Sequence, residues 1–359
     1  MKKSLSTVKP SNYIPTLDGF RAVAIVIVIF SHEVNPDRHP YIRTFGREGV
    51  FIFFALSGYL ITSRLIEEYD SNGRISLRDF YLRRVFRILP PAIFYLSVVS
   101  LCNLVGWVTC SWAAIRSALF FYANYVDYGL EWGPVPHFWS LSVEEHFYLI
   151  WPSLLIGFGV RKGWRTAAIL AVIVNVWRVV DDHYRLISHL FHNPVLIGPY
   201  HRTDMIADTL FWGCCLAFYL RPSRQVYLSS IRSTILAVAC AATLLLLNRI
   251  GINHSEFLLD LIPTILLGAV VAAPRAPIGR LLELSLCRFV GRISYSLYIW
   301  QQLFLFIGGP VLLSLPLKTL AILACALFSY WVIEQPAIQL GRRIIRKTHS
   351  PAEPVMSRV

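Results

Sequence analysis

The chain has 359 residues, of which 55% are hydrophobic and only 15% are charged, so its composition excludes an ordinary soluble domain and favours a protein that crosses a membrane several times. Its 34 lysines and arginines against 21 acidic residues give a formal charge of +13. We attribute this charge to cationic loops on one side of a bilayer. No basic patch with interleaved aromatic residues lies outside those loops, so nucleic-acid binding is not expected.

Ten apolar stretches are long enough, or nearly so, to span a bilayer, and each is predicted to be a helix because lipid offers no partner for backbone N–H and C=O groups. In chain order they are 20–34, 48–65, 89–108, 138–160, 166–180, 205–220, 233–248, 257–273, 293–308 and 311–333. The expected fold is therefore an all-α, polytopic membrane bundle of about ten transmembrane helices.

The distribution of charge predicts the orientation of this bundle. With the N-terminus in the cytoplasm, 25 of the 34 lysines and arginines fall in segments 1–21, 64–87, 161–165, 221–232, 274–292 and 341–359. This asymmetry follows the positive-inside rule, so both termini are expected in the cytoplasm. We predict one domain over 1–346 and a polar, disordered cytoplasmic tail over 347–359.

The first apolar run is LDGFRAVAIVIVIFSH, which opens with Arg21 and closes with His32. Eleven residues place the two side chains within ~20° of one helix face and ~16 Å apart along the axis. Each residue alone has an ordinary explanation, a snorkelling anchor for Arg21 and an interfacial position for His32. Together on one stripe they indicate a functional path through the bundle, with a histidine suited to moving protons more than halfway across.

Seven segments in order resemble the membrane acyltransferase-3 family, whose members O-acetylate bacterial O-antigens, exopolysaccharides, lipochitooligosaccharides and some macrolides. They are the run ending at His32, GVFIFFALSGYLIT, FYLRRVFRILPP, HFWSLSVEEHFYLIWP, DMIADTLFWG, GRISYSLYIW and VIEQP. The resemblance covers essentially the whole chain and implies a ten-helix core in the inner membrane. It also implies that Arg21 and His32 form the family's arginine–histidine pair, with His32 catalytic.

The segment FYLRRVFRILPP places arginines on one helical turn at the cytoplasmic side. Fork-shaped guanidinium groups at i and i+3 suit phosphate oxygens, although basic residues are common in any cytoplasmic loop. The family resemblance implies that Arg84 and Arg87 bind the acyl donor, an acyl-CoA.

The segment WSLSVEEHFY carries two adjacent carboxylates. Ser142 and Glu145 fit a capping box, whereas Glu144 shares a helix face with Tyr148. The resemblance implies that Glu144 is the functional acid, and we expect its carboxylate to orient the imidazole of His32. His146 stands where relatives usually have glutamine. The pH dependence of the reaction rate could therefore report the titration of either His32 or His146.

Three further residues are expected to contact the acceptor or to support the site: Tyr148, Asp208 and Arg202. The resemblance places Asp208 five residues before a glycine, and Arg202 is expected to replace an arginine that many relatives have closer to it. The alternative is an ordinary polar loop. Ser57 and Gly58 predict close helix packing, and we expect no catalytic role for Gln301.

These features predict an O-acyltransferase that moves an acyl group, expected to be acetyl, from cytoplasmic acyl-CoA to a hydroxyl of an exported carbohydrate or lipid-linked glycan. No metal and no permanently bound cofactor are expected, and a homo-oligomer is left open. The alternative is a transporter of a sugar or small anion, in which charges inside the membrane are equally expected. The sequence does not select among acceptors, and it does not show whether Cys102 and Cys110 pair.

Overall fold

The computed structural model describes residues 13–33, 40–126, 130–186, 201–221, 228–249, 259–306 and 315–349. Within these ranges every regular element is helical and no strand is present, which confirms the predicted all-α class. The predicted tail begins inside a helix that ends at His349, and residues 350–359 lie outside the described ranges.

The α-helices are numbered in chain order. They are α1 Pro15–Glu33, α2 Pro40–Asn72, α3 Leu77–Leu104, α4 Trp112–Leu119, α5 Phe138–Phe158, α6 Gly163–Tyr184, α7 Thr203–Ile206, α8 Asp208–Tyr219, α9 Ser230–Arg249, α10 Ile262–Ala272, α11 Pro277–Leu282, α12 Ser285–Arg292, α13 Ser294–Trp300, α14 Leu303–Phe306, α15 Leu315–Phe328 and α16 Gln335–His349. A π-helical segment, Ser329–Glu334, joins α15 to α16.

Six helical segments in the described ranges are long and apolar enough to cross a membrane: 15–33, 45–72, 77–104, 160–184, 230–247 and 316–348. The expected number of about ten is not confirmed. The other predicted stretches correspond to shorter helices, such as α8 with 12 residues and α10 with 11, or to α5. In α5 the consecutive ionisable residues Glu144, Glu145 and His146 lower the hydropathy.

Helix α2 lies at the centre of the fold, between α1 and α8, and it also contacts α10. Its backbone approaches α8 so closely that a Cβ atom added at Gly58 would collide with the carbonyl oxygen of Leu210. A Cβ atom at Gly213 would collide in the same way with the carbonyl of Ala55. The close packing predicted at Gly58 is therefore confirmed, and it holds α2 in the position from which it lines the site.

Candidate active site

A cavity of about 90 Å³ lies inside the bundle and is lined by side chains from α1, α2, α3, α5 and α13. Its polar lining residues are Arg21, Ser57, Arg84, Arg87, Ser140, Glu144, Glu145, Ser294, Tyr148, Tyr295 and Tyr298. The structure thus brings together five of the residues that the sequence singled out, from three separate helices. His32, Asp208 and Arg202 do not line this cavity.

Helix α3 supplies the cationic wall. Ser76 caps its N-terminus by accepting a hydrogen bond from the Asp79 backbone N–H at 3.3 Å. From this start, the i, i+3 spacing turns Arg84 and Arg87 to the same face, toward the cavity. Arg83 points aside and pairs with Glu68 at 3.2 Å.

A second cavity of about 40 Å³ shares Arg84 and Arg87 with the first and adds Arg64 and Arg83. In the described part of the chain, Arg64, Arg84 and Arg87 form no direct salt bridge with a carboxylate, whereas Arg83 does. Three guanidinium groups without a direct salt bridge therefore surround the junction of the two cavities, and the charges of Glu144 and Glu145 act on one of them, Arg84. Sequence analysis missed Arg64, although its place at the end of an apolar run, opposite the predicted arginines, could have indicated it.

Arg21 enters the cavity from α1, and its position follows from the pattern of that helix. The buried residues Ala24, Ile25 and Val28 lie three, four and seven positions after Arg21, on the stripe that packs against the bundle. The side chain of Arg21 is 24% exposed, and its nearest carboxylate oxygen is that of Asp18, at 3.9 Å. Arg21 thus belongs to the inner, cationic end of the site.

Glu144 is held by a short hydrogen-bond chain between α2 and α5. The hydroxyl of Ser57 donates to Glu144 Oε1 at 2.5 Å, and the hydroxyl of Tyr148 donates to Ser57 Oγ at 3.0 Å. The guanidinium of Arg84 lies over the Tyr148 ring, 4.4 Å from its centroid. Tyr148, which was expected to contact the acceptor or to support the site, therefore lies beside Arg84.

The predicted capping box at the start of α5 is wrong. The helix begins at Phe138, so Ser142 lies inside it, and its hydroxyl donates back to the Phe138 carbonyl at 2.9 Å. Glu145 is freed from any capping role and lines the cavity beside Glu144. Two carboxylates therefore lie close enough to Arg84 for their charges to act on it.

His32 lies at the other end of the site, in the last turn of α1, and its side chain is exposed. Its Nδ1 is 3.2 Å from Oε1 of Gln301, which follows α13. The contact predicted between Glu144 and His32 is absent, because Glu144 bonds Ser57 while the imidazole meets an amide.

The outer end of the cavity lies between these two groups of residues. Tyr298 and Ser140 line it, and their hydroxyl oxygens are 2.5 Å apart. Tyr298 also donates to the carbonyl of His137 at 3.2 Å, and the ring of His137 interacts electrostatically with His32. The path from the arginines toward His32 thus ends in this structure at a wall formed by Tyr298 and His137.

Asp208 and Arg202 lie in two buried ion-pair networks away from the cavity. Arg178 pairs with Asp208 at 2.5 Å and also with Asp260. Arg202 pairs with Asp181 at 2.6 Å and with a second aspartate, Asp204. Such paired charges tie α6, α7 and α8 together, so both residues support the scaffold in this structure. Sequence analysis missed Arg178, although an arginine inside an apolar run was a signal.

Replacing Asp208 with asparagine is expected to destabilise the folded protein by about 3 kcal/mol, because it leaves the buried guanidinium of Arg178 with one carboxylate fewer. The measurement is thermal unfolding of the detergent-solubilised protein. Asp182→Asn is the matched control, since that aspartate is exposed on the same helix as Arg178. Equal melting temperatures for the two variants would contradict a stabilising role for the network.

Cys102 and Cys110 are both free thiols in this structure. Burial raises the pKa of Cys110 to about 12, so its reactive thiolate is scarce near neutral pH. Within the described residues, no group of three or more histidine, cysteine or acidic side chains is arranged to hold a metal ion.

The chain is similar to several characterised or named bacterial proteins. A family model described as an acyltransferase domain, acyltransferase-3, matches residues 14–334. A candidate peptidoglycan O-acetyltransferase of Bacillus subtilis is 32% identical over 373 residues, covering 92% of this chain and 56% of that protein. A peptidoglycan O-acetyltransferase of Listeria monocytogenes is 30% identical over 330 residues, covering 84% of this chain and 50% of that protein.

A candidate O-acetyltransferase of Staphylococcus aureus is 30% identical, covering 83% of this chain and 52% of that protein. The chain thus spans about half the length of the curated relatives it matches. No solved structure matches it. The matched range includes both ends of the site, from Arg21 and His32 to Gln301, and it confirms the resemblance seen in the motifs. The chain belongs to the acyltransferase-3 family of membrane proteins.

Proposed function

We propose that this protein transfers an acyl group, most simply acetyl, from acyl-CoA in the cytoplasm to a hydroxyl of an exported carbohydrate. The observation that carries the proposal is the junction of two cavities at Arg64, Arg84 and Arg87, three arginines that form no direct salt bridge with a carboxylate in the described ranges. A buried or half-buried cationic cluster of this kind favours an anionic ligand, and membership of an acyltransferase family supports an acyl donor in that role.

Coenzyme A fits the inner end of the site by its charge. Each of its phosphate groups presents two or more anionic oxygens to the paired N–H donors of a planar guanidinium, and coenzyme A is available on the cytoplasmic side. The same orientation is supported by the excess of lysine and arginine in the segments assigned to the cytoplasm, with both termini on that side of the inner membrane.

The larger cavity offers a route for the pantetheine arm. It runs from the arginines past the hydrogen-bonded chain of Tyr148, Ser57 and Glu144 and ends at Tyr298. The hydroxyls and carboxylate can bond the amides of the arm, while Phe53 and Phe54 contribute apolar walls. A change of the Tyr298 rotamer would open the remaining step toward His32.

His32 is the proposed chemical centre, and two routes are consistent with its geometry. In the first, the imidazole takes the proton of the acceptor hydroxyl while the oxygen of that hydroxyl attacks the carbonyl carbon of the thioester. The C–S bond then breaks and CoA is released. In the second, Nε2 itself attacks the thioester, CoA leaves, and the acyl-imidazole passes its acyl group to the acceptor. Arg21 lies ~16 Å inward along α1 and is placed to contact the arm of the donor.

The acceptor is proposed to be a cell-envelope carbohydrate. Two relatives carry names that refer to peptidoglycan, so peptidoglycan fragments are the first acceptors to test, ahead of lipid-linked and secreted glycans. The exposed position of His32 at the outer end of α1 allows a large substrate to approach from outside the membrane.

The test is acyl transfer by purified protein in proteoliposomes. Labelled acetyl-CoA is supplied on one side, peptidoglycan or crude envelope glycan on the other, and label on the glycan is measured by mass spectrometry. Label that appears only with protein supports the enzyme. Uptake of free sugar or acetate without any acylated glycan would instead support a transporter.

A further inference from the structure

The contact between His32 and Gln301 joins two residues that are 269 positions apart in the chain. Gln301 is 1% exposed and directly follows α13, where its backbone N–H bonds the Leu297 carbonyl at 3.1 Å. Burial therefore fixes the place of the Gln301 side chain, while the imidazole stands on the exposed end of α1. A buried group beside an exposed one is an arrangement by which the exposed side chain can be positioned.

The chemistry of the contact sets the tautomer of the imidazole. An amide oxygen can only accept a hydrogen bond, so a contact from Oε1 of Gln301 places the hydrogen of His32 on Nδ1. Nε2 then carries the lone pair and is directed away from Gln301. Both routes of acyl transfer need this lone pair, either to take a proton or to attack the thioester.

We propose that Gln301 is the positioning residue of the transferase: it fixes the tautomer and the ring orientation of His32, the role that the sequence assigned to Glu144. The proposal rests on the proposed function of His32. It differs from that function in assigning to a neutral amide, rather than to a carboxylate, the control of the imidazole.

A neutral partner has a consequence for pH dependence. An amide holds the ring without placing a negative charge beside it, whereas a carboxylate would favour the protonated ring. The titratable and charged groups at this end include His137, which precedes α5 and interacts electrostatically with His32, and Lys318 of α15, which acts on Glu33 of α1.

The first experiment compares the pH–rate profiles of Gln301→Glu and Gln301→Met. Methionine removes the acceptor, and acyl transfer is expected to fall by about 10-fold or more at every pH because the ring loses its orientation. Glutamate keeps the acceptor but adds a charge that favours the protonated ring. Activity is then expected to return, with the acidic limb of its profile moved up by roughly one pH unit or more.

The matched control is Gln302→Glu, which adds a carboxylate one position later, at a side chain that is 3% exposed. Its acidic limb is expected to stay within a few tenths of a pH unit of that of the unmodified protein. Full activity of Gln301→Met would overturn the assignment. Equal shifts of the acidic limb in Gln301→Glu and Gln302→Glu would also overturn it, since the shift would then come from the added negative charge and not from the contact with His32.

A second readout does not depend on turnover. Acylation of His32 by diethyl pyrocarbonate reports the unprotonated ring, and mass spectrometry locates the modified residue. The pH at which modification is half-maximal is expected to rise in Gln301→Glu and to stay unchanged in Gln302→Glu. An unchanged midpoint in Gln301→Glu overturns the positioning role even if transfer is observed, whereas absent transfer with a shifted midpoint overturns only the proposed function.

Discussion

Replacing His32 with alanine is expected to lower the rate of acyl transfer by roughly 10²–10⁴-fold, because the variant loses the group that takes the acceptor proton or attacks the thioester. The protein should insert and fold normally, since His32 is exposed in the last turn of α1 and no core packing depends on it. The measurement is single-turnover transfer of labelled acetyl groups. Binding of acetyl-CoA should stay within about twofold, because the phosphates bind ~16 Å away, at the level of Arg21.

His183→Ala is the matched control for this prediction, because that histidine is exposed at the end of α6 and contacts only its neighbour Tyr184 among the described aromatic rings. It should transfer at the unmodified rate. If His32→Ala transferred as fast as the control, the imidazole would have no chemical role, and the carboxylate of Glu144 would become the first candidate for the base.

Replacing Arg84 and Arg87 together with glutamine is expected to weaken acyl-CoA binding by roughly 100-fold or more. A hydrogen bond between charged groups contributes about 1.5–3 kcal/mol, and each 1.4 kcal/mol corresponds to a tenfold change in Kd. Neither arginine forms a direct salt bridge with a carboxylate in the described ranges, although Arg84 lies near Glu144 and Glu145, so the loss of affinity is expected to reflect the missing phosphate contacts. The measurement is titration with a non-hydrolysable acetyl-CoA analogue.

Arg78→Gln provides the control for the donor site, since Arg78 is exposed in the first turn of the same helix and lines neither cavity. Affinity for pantetheine, which carries no phosphate, should be equally weak in the unmodified protein, the double variant and Arg78→Gln. The three proteins are expected to differ only in how they bind phosphate. An unchanged Kd for acetyl-CoA in the double variant would show that the donor binds elsewhere. Arg64→Gln should weaken binding by a smaller factor, because this arginine lines only the smaller cavity.

The local pattern of apolar and polar residues was sufficient to predict the helices and the helix face on which several site residues lie. Helical periodicity placed Arg84 with Arg87 and Glu144 with Tyr148, and the structure brings all four to one cavity. Contacts within one helix depend only on the 3.6-residue repeat, which the sequence displays directly.

Contacts between distant helices could not be predicted in the same way. Ser57 lies 87 positions from Glu144, and Gln301 lies 269 positions from His32, so no periodicity connects either pair. The sequence therefore paired Glu144 with the wrong residue. The exposure of the imidazole could also not be predicted, because the end of α1 at Glu33 depends on tertiary packing and not on the length of the apolar run.

The predicted number of about ten spanning helices is not confirmed for a related reason. Apolar runs predicted helices correctly, but several of these helices are short, and α5 carries ionisable groups whose partners lie on other helices. Glu144 is an example, since its carboxylate accepts a hydrogen bond from Ser57 of α2. Hydropathy counts such residues one at a time and does not register the pairing.

One molecule of the acyl donor is proposed to reach from Arg84 and Arg87 to the imidazole of His32. Photolabelling tests this proposal most directly. An acyl-CoA with a diazirine in its acyl group is bound to the protein, illuminated, and the labelled peptides are identified by mass spectrometry. We predict label on the peptides that contain His32 or Gln301, lost when Arg84 and Arg87 are both replaced by glutamine. Label confined to the cytoplasmic loops, or unaffected by that double replacement, would contradict the account.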